Sequence, residues 1–310
     1  MSVKTVRPPR RAVHGVLLLD KPLGLTSNQA LQRAKRLYRA EKAGHTGTLD
    51  PLADGLLPIC FGAATKFAQA CLDADKRYRA TLMLGERTAS GDRETPVIER
   101  RPVNVSRAAV DAACRGFIGP IEQLPPMHSA LKKDGKALYD YARAGLEVER
   151  APRRVMILRL DVVEFTAPYL TIDVECSKGT YIRALASDIG QALGCGAHLA
   201  ALRRTGAGRL DVRDAVTPDA LEALGESERD ALLRPTDCLL ADWPAVRLEA
   251  DDAGRFLSGL RRRIEGADAA AVRVYGREPD AFLGSAHITG GELIADRLLS
   301  PLEVRATFAA

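Results

Sequence analysis

The sequence predicts an α+β protein: a mixed, largely antiparallel central sheet flanked by helices, followed by a small C-terminal β-barrel. Three observations carry this expectation. Leu170, Ile172, Val174 and Cys176 alternate with Thr171, Asp173 and Glu175, the period of a strand with one buried face. The stretches 106–117 and 181–193 instead repeat apolar residues at helical spacing. Beyond Trp243, short apolar runs separated by Gly- and Asp-containing turns suit a compact barrel.

The elements follow in chain order. After a basic tail, Gly15-Val-Leu-Leu-Leu reads as a short buried strand that ends at Asp20-Lys21-Pro22, where proline stops a central strand. A turn through Gly24 leads to Thr26-Ser27-Asn28-Gln29, a capping-box pattern; Ala30, Leu31, Ala34, Leu37 and Tyr38 then recur at helical spacing. The segment Gly44-His-Thr-Gly-Thr-Leu-Asp-Pro51 is rich in turn formers yet lies between apolar stretches, so it is expected as a loop against a core. Strands are predicted over 79–84, 155–165 and 170–176. Val110, Ala113, Cys114 and Phe117 mark one face of the 106–117 helix. Ile182, Leu185, Ala186, Ile189 and Leu193 mark one face of the 181–193 helix, which Gly194 and Gly196 stop.

Between these helices, Gln123 to Pro152 is polar, proline- and lysine-rich, and reads as an insertion. From Ala215 to Leu240 the chain is helix and turn, and Asp242-Trp243-Pro244 marks a boundary. The expected domains are therefore 1–243, carrying the insertion at about 123–152, and 244–310, with strands over 272–275, 281–288 and 292–298.

With 310 residues, 46% hydrophobic and 27% charged, the chain has ample core and resembles neither a disulfide-stapled miniprotein nor a disordered or collagen-like one. The aliphatic run Val16–Leu19 is broken at once by Asp20 and Lys21, short of a membrane span or signal segment, so a cytoplasmic protein is expected. Its six cysteines form no CxxC pair, and its five histidines form no HxxxH or HExxH spacing. No intrinsic metal is expected. GxGxxG after a strand, GxxxxGK[ST] and GxSxG are likewise missing, so nucleotide-cofactor, P-loop and serine-hydrolase readings lack their parts, and no cofactor is expected.

The net charge of +5 decides little, but its distribution says more. Lys4, Arg7, Arg10 and Arg11 carry no acid among them, and Arg33, Lys35, Arg36, Arg39 and Lys42 face only Glu41. Further groups lie at Arg203, Arg204, Arg209 and Arg213, and at Arg261 to Arg263. Such clusters serve phosphate contacts or solvated helix edges, and charge alone favours neither.

The Gly44–Pro51 segment is the most unusual in the chain. Its glycines permit sharp turns, and Asp50, fixed by Pro51, either presents its carboxylate from a stiff site or closes a structural Asx turn. Three cationic and aromatic groups could converge on it: Lys76-Arg77-Tyr78, Ser177-Lys178-Gly179-Thr180-Tyr181-Ile182-Arg183, and Leu202-Arg203-Arg204. A flipped nucleic-acid base needs that combination, a stacked ring face with held phosphates, although each tyrosine taken singly also suits core packing.

At these residues the chain resembles the bacterial tRNA pseudouridine-55 synthases of the TruB type. Gly15-Val-Leu-Leu-Leu-Asp-Lys-Pro, Ala43-Gly-His-Thr-Gly-Thr-Leu-Asp-Pro-Leu-Ala-Asp-Gly-Leu-Leu-Pro, Asp75-Lys-Arg-Tyr, Cys176-Ser-Lys-Gly-Thr-Tyr-Ile-Arg and Leu202-Arg-Arg are similar to that family's motifs in order and spacing. The resemblance runs from about His14 to Thr205, and the tail resembles the family's small PUA-type RNA-binding domain.

The resemblance implies the pseudouridine synthase fold and isomerisation of uridine 55 in the tRNA T loop. Asp50 would be the nucleophile, acting at the base or at the sugar, with no cofactor and no net redox change. It implies that Tyr78 stacks on the everted uracil and assists proton removal, and that Arg183 pairs with Asp50, keeping it ionised even in a water-poor pocket. It also implies that His45 fills space vacated in the T loop, that Tyr181 and Leu202 form pocket walls, and that Lys21 with Pro22 supports the active loop. The partner would be the tRNA T stem-loop, handled by a monomer with no membrane contact, no guide RNA and no obligatory protein partner. In Pro125-Pro-Met-His-Ser-Ala-Leu-Lys132, His128 departs from the family's usual Tyr or Phe, which leaves the RNA contact of the insertion open. An RNA-guided synthase and a non-catalytic RNA-binding or tRNA-folding protein are the alternatives.

Overall fold

The computed structural model describes residues 9–127, 129, 131–277 and 280–308. Lys4, Arg7 and His128, singled out above, lie outside them. In chain order the principal elements are β1 (Gly15–Lys21), α1 (Ser27–Leu37), β2 (Ala43–His45), β3 (Ala53–Phe61), β4 (Lys76–Leu84), α2 (Arg107–Arg115), β5 (Gly119–Gln123) and β6 (Arg153–Thr166). They continue with β7 (Tyr169–Cys176), α3 (Ile182–Ala192), β8 (Ala197–Ala207), β9 (Ala245–Leu248), α4 (Ala250–Leu257), β10 (Arg262–Arg263), β11 (Ala269–Gly276), β12 (Phe282–Thr289) and β13 (Glu292–Leu298). The chain forms two compact units: Asp50–Gly55 with Asp73–Asp211, and the described parts of 1–49, 56–72 and 212–310.

In the first unit the strands run β8-β4-β7-β6-β5, each antiparallel to its neighbour. Residues 53–55 of β3 lie parallel alongside β8, so the sheet is mixed but largely antiparallel. The period-two reading of β7 holds: Leu170, Ile172, Val174 and Cys176 are buried while Tyr169 is exposed. That face is covered by α2 and α3, whose Val110, Cys114, Ile182, Leu185, Ala186 and Ile189 join Leu82, Leu84, Ile157, Ile172 and Val174 in one core. Fully burying each large aliphatic side chain contributes about 1.5–3 kcal/mol. The Ser106 hydroxyl accepts the Ala109 N–H to start α2, and Gly194, at φ +76°, stops α3 as expected. The segment after Gln123 carries a small hairpin, Lys132–Lys133 with Lys136–Ala137, and a helix over Leu138–Arg143.

In the second unit Thr26 and Gln29 make the expected capping box, and α1 buries Ala30, Leu31 and Ala34 against Leu17, Leu19, Tyr38, Ile59 and Phe61. The C-terminal strands follow the order β9-β11-β12-β13-β10, a curled half-barrel around Leu248, Phe256, Val272, Val274, Leu283, Ile288 and Leu293. This is the PUA-like form that the resemblance implied.

Two of the differences from expectation bear on the site. β4 begins at Lys76, not Arg79, because it continues pairing with β7 and β8 as far as Cys176 and Ala207. β3 was not predicted as a strand. Eight of its nine residues are buried, so it shows no alternation, and its Gly55 and Pro58 read locally as breakers. Gly55 has φ +100°, and a Cβ there would stand 2.3 Å from the Arg204 carbonyl oxygen, so only glycine allows β3 and β8 to approach this closely.

Candidate active site

Asp50 opens a proline turn: its carbonyl accepts the Ala53 N–H at 3.0 Å, with Pro51 in the position where fixed φ suits such a turn. Its carboxylate faces Arg183, with Oδ2 3.1 Å from Nη2. The turn is closed by the Asp50 main chain and not by its side chain, as an Asx turn would require, which leaves the carboxylate to Arg183.

Arg183 is the second residue of α3 and its side chain is only 8% exposed. A cation near a helix N-terminus opposes the positive end of the helix dipole, and α3 has no acidic residue in its first turn. Two carboxylates from elsewhere supply the balance: Asp50, and Asp92 at 3.2 Å from Nη1. Asp92, 2% exposed at its side chain, also accepts the Ser90 hydroxyl at 2.6 Å and the Glu94 N–H at 2.9 Å. The Thr88 hydroxyl donates to the Asp92 carbonyl, and Gly91 and Arg93 exchange main-chain bonds with Leu199 on β8. The loop that carries Asp92 is thus fixed to the sheet, and Arg183 is held from behind. Partial burial, together with the charges of Asp92 and Asp50, pushes the Glu94 carboxyl up, a sign of crowded negative charge around this one guanidinium.

Asp50 itself differs from the water-poor setting expected of it: its side chain is 42% exposed. It stands on a turn, so the enclosed part of the site is Arg183 and Asp92, and the carboxylate is at the rim.

Tyr78 sits on β4 opposite Val174 of β7 and Arg204 of β8. Burial pushes its phenol up; the adjacent Arg204, hydrogen-bonded to it, opposes this, and the Asp50 charge adds to the rise. Tyr78 is therefore a neutral phenol at neutral pH. Arg204 is almost fully buried, which places a second cation behind the site. Leu202, two residues earlier on β8, faces Ala80 and packs with Tyr78 on the same core. Tyr181 is the N-cap of α3, so its position follows from the helix that carries Arg183.

Asp50, Tyr78 and Arg183 are thus brought together, with Leu202 and Tyr181 on the strand and helix that carry Arg204 and Arg183. Lys21, Pro22 and His45 belong to the other unit. There the buried Lys21 ammonium donates to the carbonyls of Pro22 and Leu25 at 3.0 and 2.7 Å, closing the turn after β1, and His45 ends β2 opposite Ile59.

Sequence reasoning missed Asp92 and Ser27. Ser27, buried at the start of α1, accepts the Leu49 N–H at 2.8 Å and donates to the Leu49 carbonyl, fixing the residue before Asp50. In sequence it reads as a helix-start serine, and Asp92 as part of a polar turn, Thr88 to Thr95. The basic clusters also resolve differently from a count along the chain. Arg33 pairs with Asp219 and Glu222, Arg39 with Glu226, and Arg11 with Asp230, acids that lie far away in sequence.

Comparison with known proteins gives a consistent result. Residues 35–182 match a family model described as the N-terminal domain of TruB family pseudouridylate synthase. Residues 183–241 match a tRNA pseudouridylate synthase B C-terminal domain, and 244–299 a pseudouridine synthase II TruB C-terminal domain. The chain is 57% identical to tRNA pseudouridine synthase B of Verminephrobacter eiseniae, over 98% of this chain and 94% of that one. It is 56% identical to the Cupriavidus pinatubonensis protein of the same name, over 94% and 96%. Among solved structures it is similar to a Cbf5-Nop10-Gar1 complex, at 25% identity and TM-score 0.73 over 94% of this chain and 87% of that chain. It is also similar to an archaeal box H/ACA sRNP Nop10-Cbf5 complex, at 24% identity and TM-score 0.72, over 96% and 88%.

Proposed function

The chain belongs to the TruB family of pseudouridylate synthases, and from that premise we propose that Asp50 is the nucleophile with which it isomerises uridine 55 of the tRNA T loop. It is an isomerase whose substrate is tRNA. The reaction breaks the bond between the sugar and the base nitrogen and forms one between the sugar and C5. The proton leaving C5 is matched by one gained at the freed nitrogen, so no oxidant, reductant or group donor enters. Attack at the base and attack at the sugar satisfy the same balance.

The observation that carries the proposal is the carboxylate of Asp50, 3.1 Å from the buried Arg183 guanidinium and close enough for its charge to bear on Tyr78. The guanidinium orients the carboxylate. Tyr78, Tyr181 and Leu202 offer ring faces and an apolar edge to the pyrimidine. Base eversion costs a few kcal/mol, which stacking and phosphate contacts offset. A nucleophile at the rim of its network is reached by a base projecting from a macromolecule without any opening of the protein. Neutral Tyr78 acts by stacking and as a hydrogen-bonding phenol, passing the C5 proton only as its own is shared onward.

We place the catalytic domain at 1–243 and an RNA-binding domain at 244–310, a division supported by the family match that begins at residue 244. His45 is assigned to the T loop, and Lys21 with Pro22 to support of the active loop, on the motifs they share with the family. No described helix is long and apolar enough to cross a membrane. We assign the chain to the cytoplasm, acting as a monomer without a protein partner or guide RNA. The guided alternative has structural neighbours in H/ACA particles, but that likeness is one of fold, whereas the relatives named for tRNA share over half of their residues. The test is to treat a T-loop transcript with the purified chain alone and probe for a pseudouridine-specific chemical adduct at position 55. An adduct there is expected; none without added guide RNA or protein overturns stand-alone action.

A further inference from the structure

One buried side chain near the site has no part in the mechanism above. Gln123 is the last residue of β5 and the first of the insertion, and it is 1% exposed. Its carboxamide makes both of its bonds to the main chain of one residue: Oε1 accepts the Tyr181 N–H at 3.0 Å, and Nε2 donates to the Tyr181 carbonyl at 3.3 Å. That carbonyl already accepts the Leu185 N–H, the first intrahelical bond of α3. Gln123 therefore grips the cap of α3 as a neighbouring strand would, using a side chain in place of a main chain.

The grip matters because α3 has no cap of its own. Tyr181 is the N-cap residue, and its side chain makes no capping bond, so the angle at which the chain turns into the helix is fixed from outside. Two residues later Arg183 must meet Asp50 at 3.1 Å and Asp92 at 3.2 Å, two carboxylates held by separate loops. A small rotation at residue 181 moves the guanidinium relative to both.

We propose that Gln123 is a positioning residue for the reaction: by holding the Tyr181 main chain it sets the Arg183 guanidinium against Asp50, and it ties the base of the 123–152 insertion to that geometry. This rests on Asp50 and Arg183 acting as described above. The carboxamide is needed whole. Asparagine is one methylene short, and glutamate keeps the acceptor for the Tyr181 N–H but sets a carboxylate oxygen against the Tyr181 carbonyl.

The experiment measures single-turnover rate and hairpin affinity for wild type, Gln123→Ala and Gln123→Glu. Val110→Ala serves as the control, a loss of packing in the core that α3 shares. Each variant is assayed well below its melting temperature. Turnover by wild type together with its loss in Asp50→Asn establishes the underlying reading independently, and failure of either sinks that reading rather than this one. The expected result is a fall in rate of about 30-fold in Gln123→Ala and of similar size in Gln123→Glu, with affinity within about threefold and Val110→Ala near wild type. A second arm repeats Gln123→Ala in an Arg183→Lys background, where the further loss should be less than about threefold because the group being positioned is already gone. Equal losses in both backgrounds, a loss of affinity alone, or a loss shared by the packing control would overturn the proposal.

Discussion

Arg183 joins Asp50 to Asp92: the same guanidinium lies 3.1 Å from one carboxylate and 3.2 Å from the other, and only Asp50 has substantial exposure. In the proposed reaction Asp50 is the reacting carboxylate, and Asp92 holds the cation that orients it. Asp92→Asn keeps the shape but removes the buried charge. It should lower the single-turnover rate by about 10- to 100-fold, roughly 1.4 to 2.7 kcal/mol of barrier, with hairpin affinity little changed. Arg183→Lys, which cannot span two carboxylates with one planar fork, should lose at least as much. A rate for Asp92→Asn equal to wild type would remove Asp92 from the account.

Tyr78 separates stacking from hydroxyl chemistry. Tyr78→Phe keeps the ring and removes the group hydrogen-bonded to Arg204. Affinity for the hairpin should stay within about threefold while the rate drops about 100-fold; Tyr78→Leu should weaken binding as well, since base stacking on an aromatic is worth about 1–3 kcal/mol. Filter binding and single-turnover assays on the same preparations distinguish the two effects.

Alkaline pH should unfold the protein sooner than neutral pH. Burial pushes the phenols of Tyr38, Tyr78 and Tyr275 up. In the unfolded chain they ionise near about pH 10, so above that the unfolded state releases protons that the folded state retains. Their contribution to stability is intact below about pH 10 and declines as pH rises toward the raised folded values. Urea midpoints from about pH 8 to pH 11 should fall, and Tyr38→Phe, which loses only the hydroxyl donated to the Arg229 carbonyl, should flatten the slope.

Gly55→Ala should be among the most damaging single changes outside the reacting groups. It combines a left-handed φ of +100° with a Cβ placed 2.3 Å from the Arg204 carbonyl oxygen. Strain and clash together predict a loss of about 2–4 kcal/mol in urea unfolding. A loss below about 0.5 kcal/mol would mean that β3 and β8 can separate freely, contrary to their pairing.

What the sequence makes legible is whatever repeats or punctuates locally. The alternation of β7, the capping box of α1 and the glycine stop of α3 could be read because neighbouring residues alone decide them. β3 could not, since burial on both faces erases its pattern. Asp50, Tyr78 and Arg183 were reached through motifs, whereas nothing local marks Asp92 or Gln123. Their roles arise from contacts with Arg183 and Tyr181, 91 and 58 residues away. The basic runs stayed undecided for the same reason: Arg33 and Arg39 look unopposed until the fold brings Asp219, Glu222 and Glu226 to them. Such exposed pairs are worth about 0–1 kcal/mol and can be exchanged for phosphates, so pairing does not remove these arginines from RNA contact.

The most direct measurement compares Asp50→Asn with wild type on one T-loop hairpin, reading both affinity and pseudouridine formed. Asparagine preserves size and a hydrogen-bond acceptor toward Arg183 but supplies no anionic oxygen. The account predicts affinity within about tenfold, or about 1.4 kcal/mol, with isomerisation lost. Pseudouridine still accumulating in the Asp50→Asn reaction at a substantial fraction of the wild-type rate would contradict it.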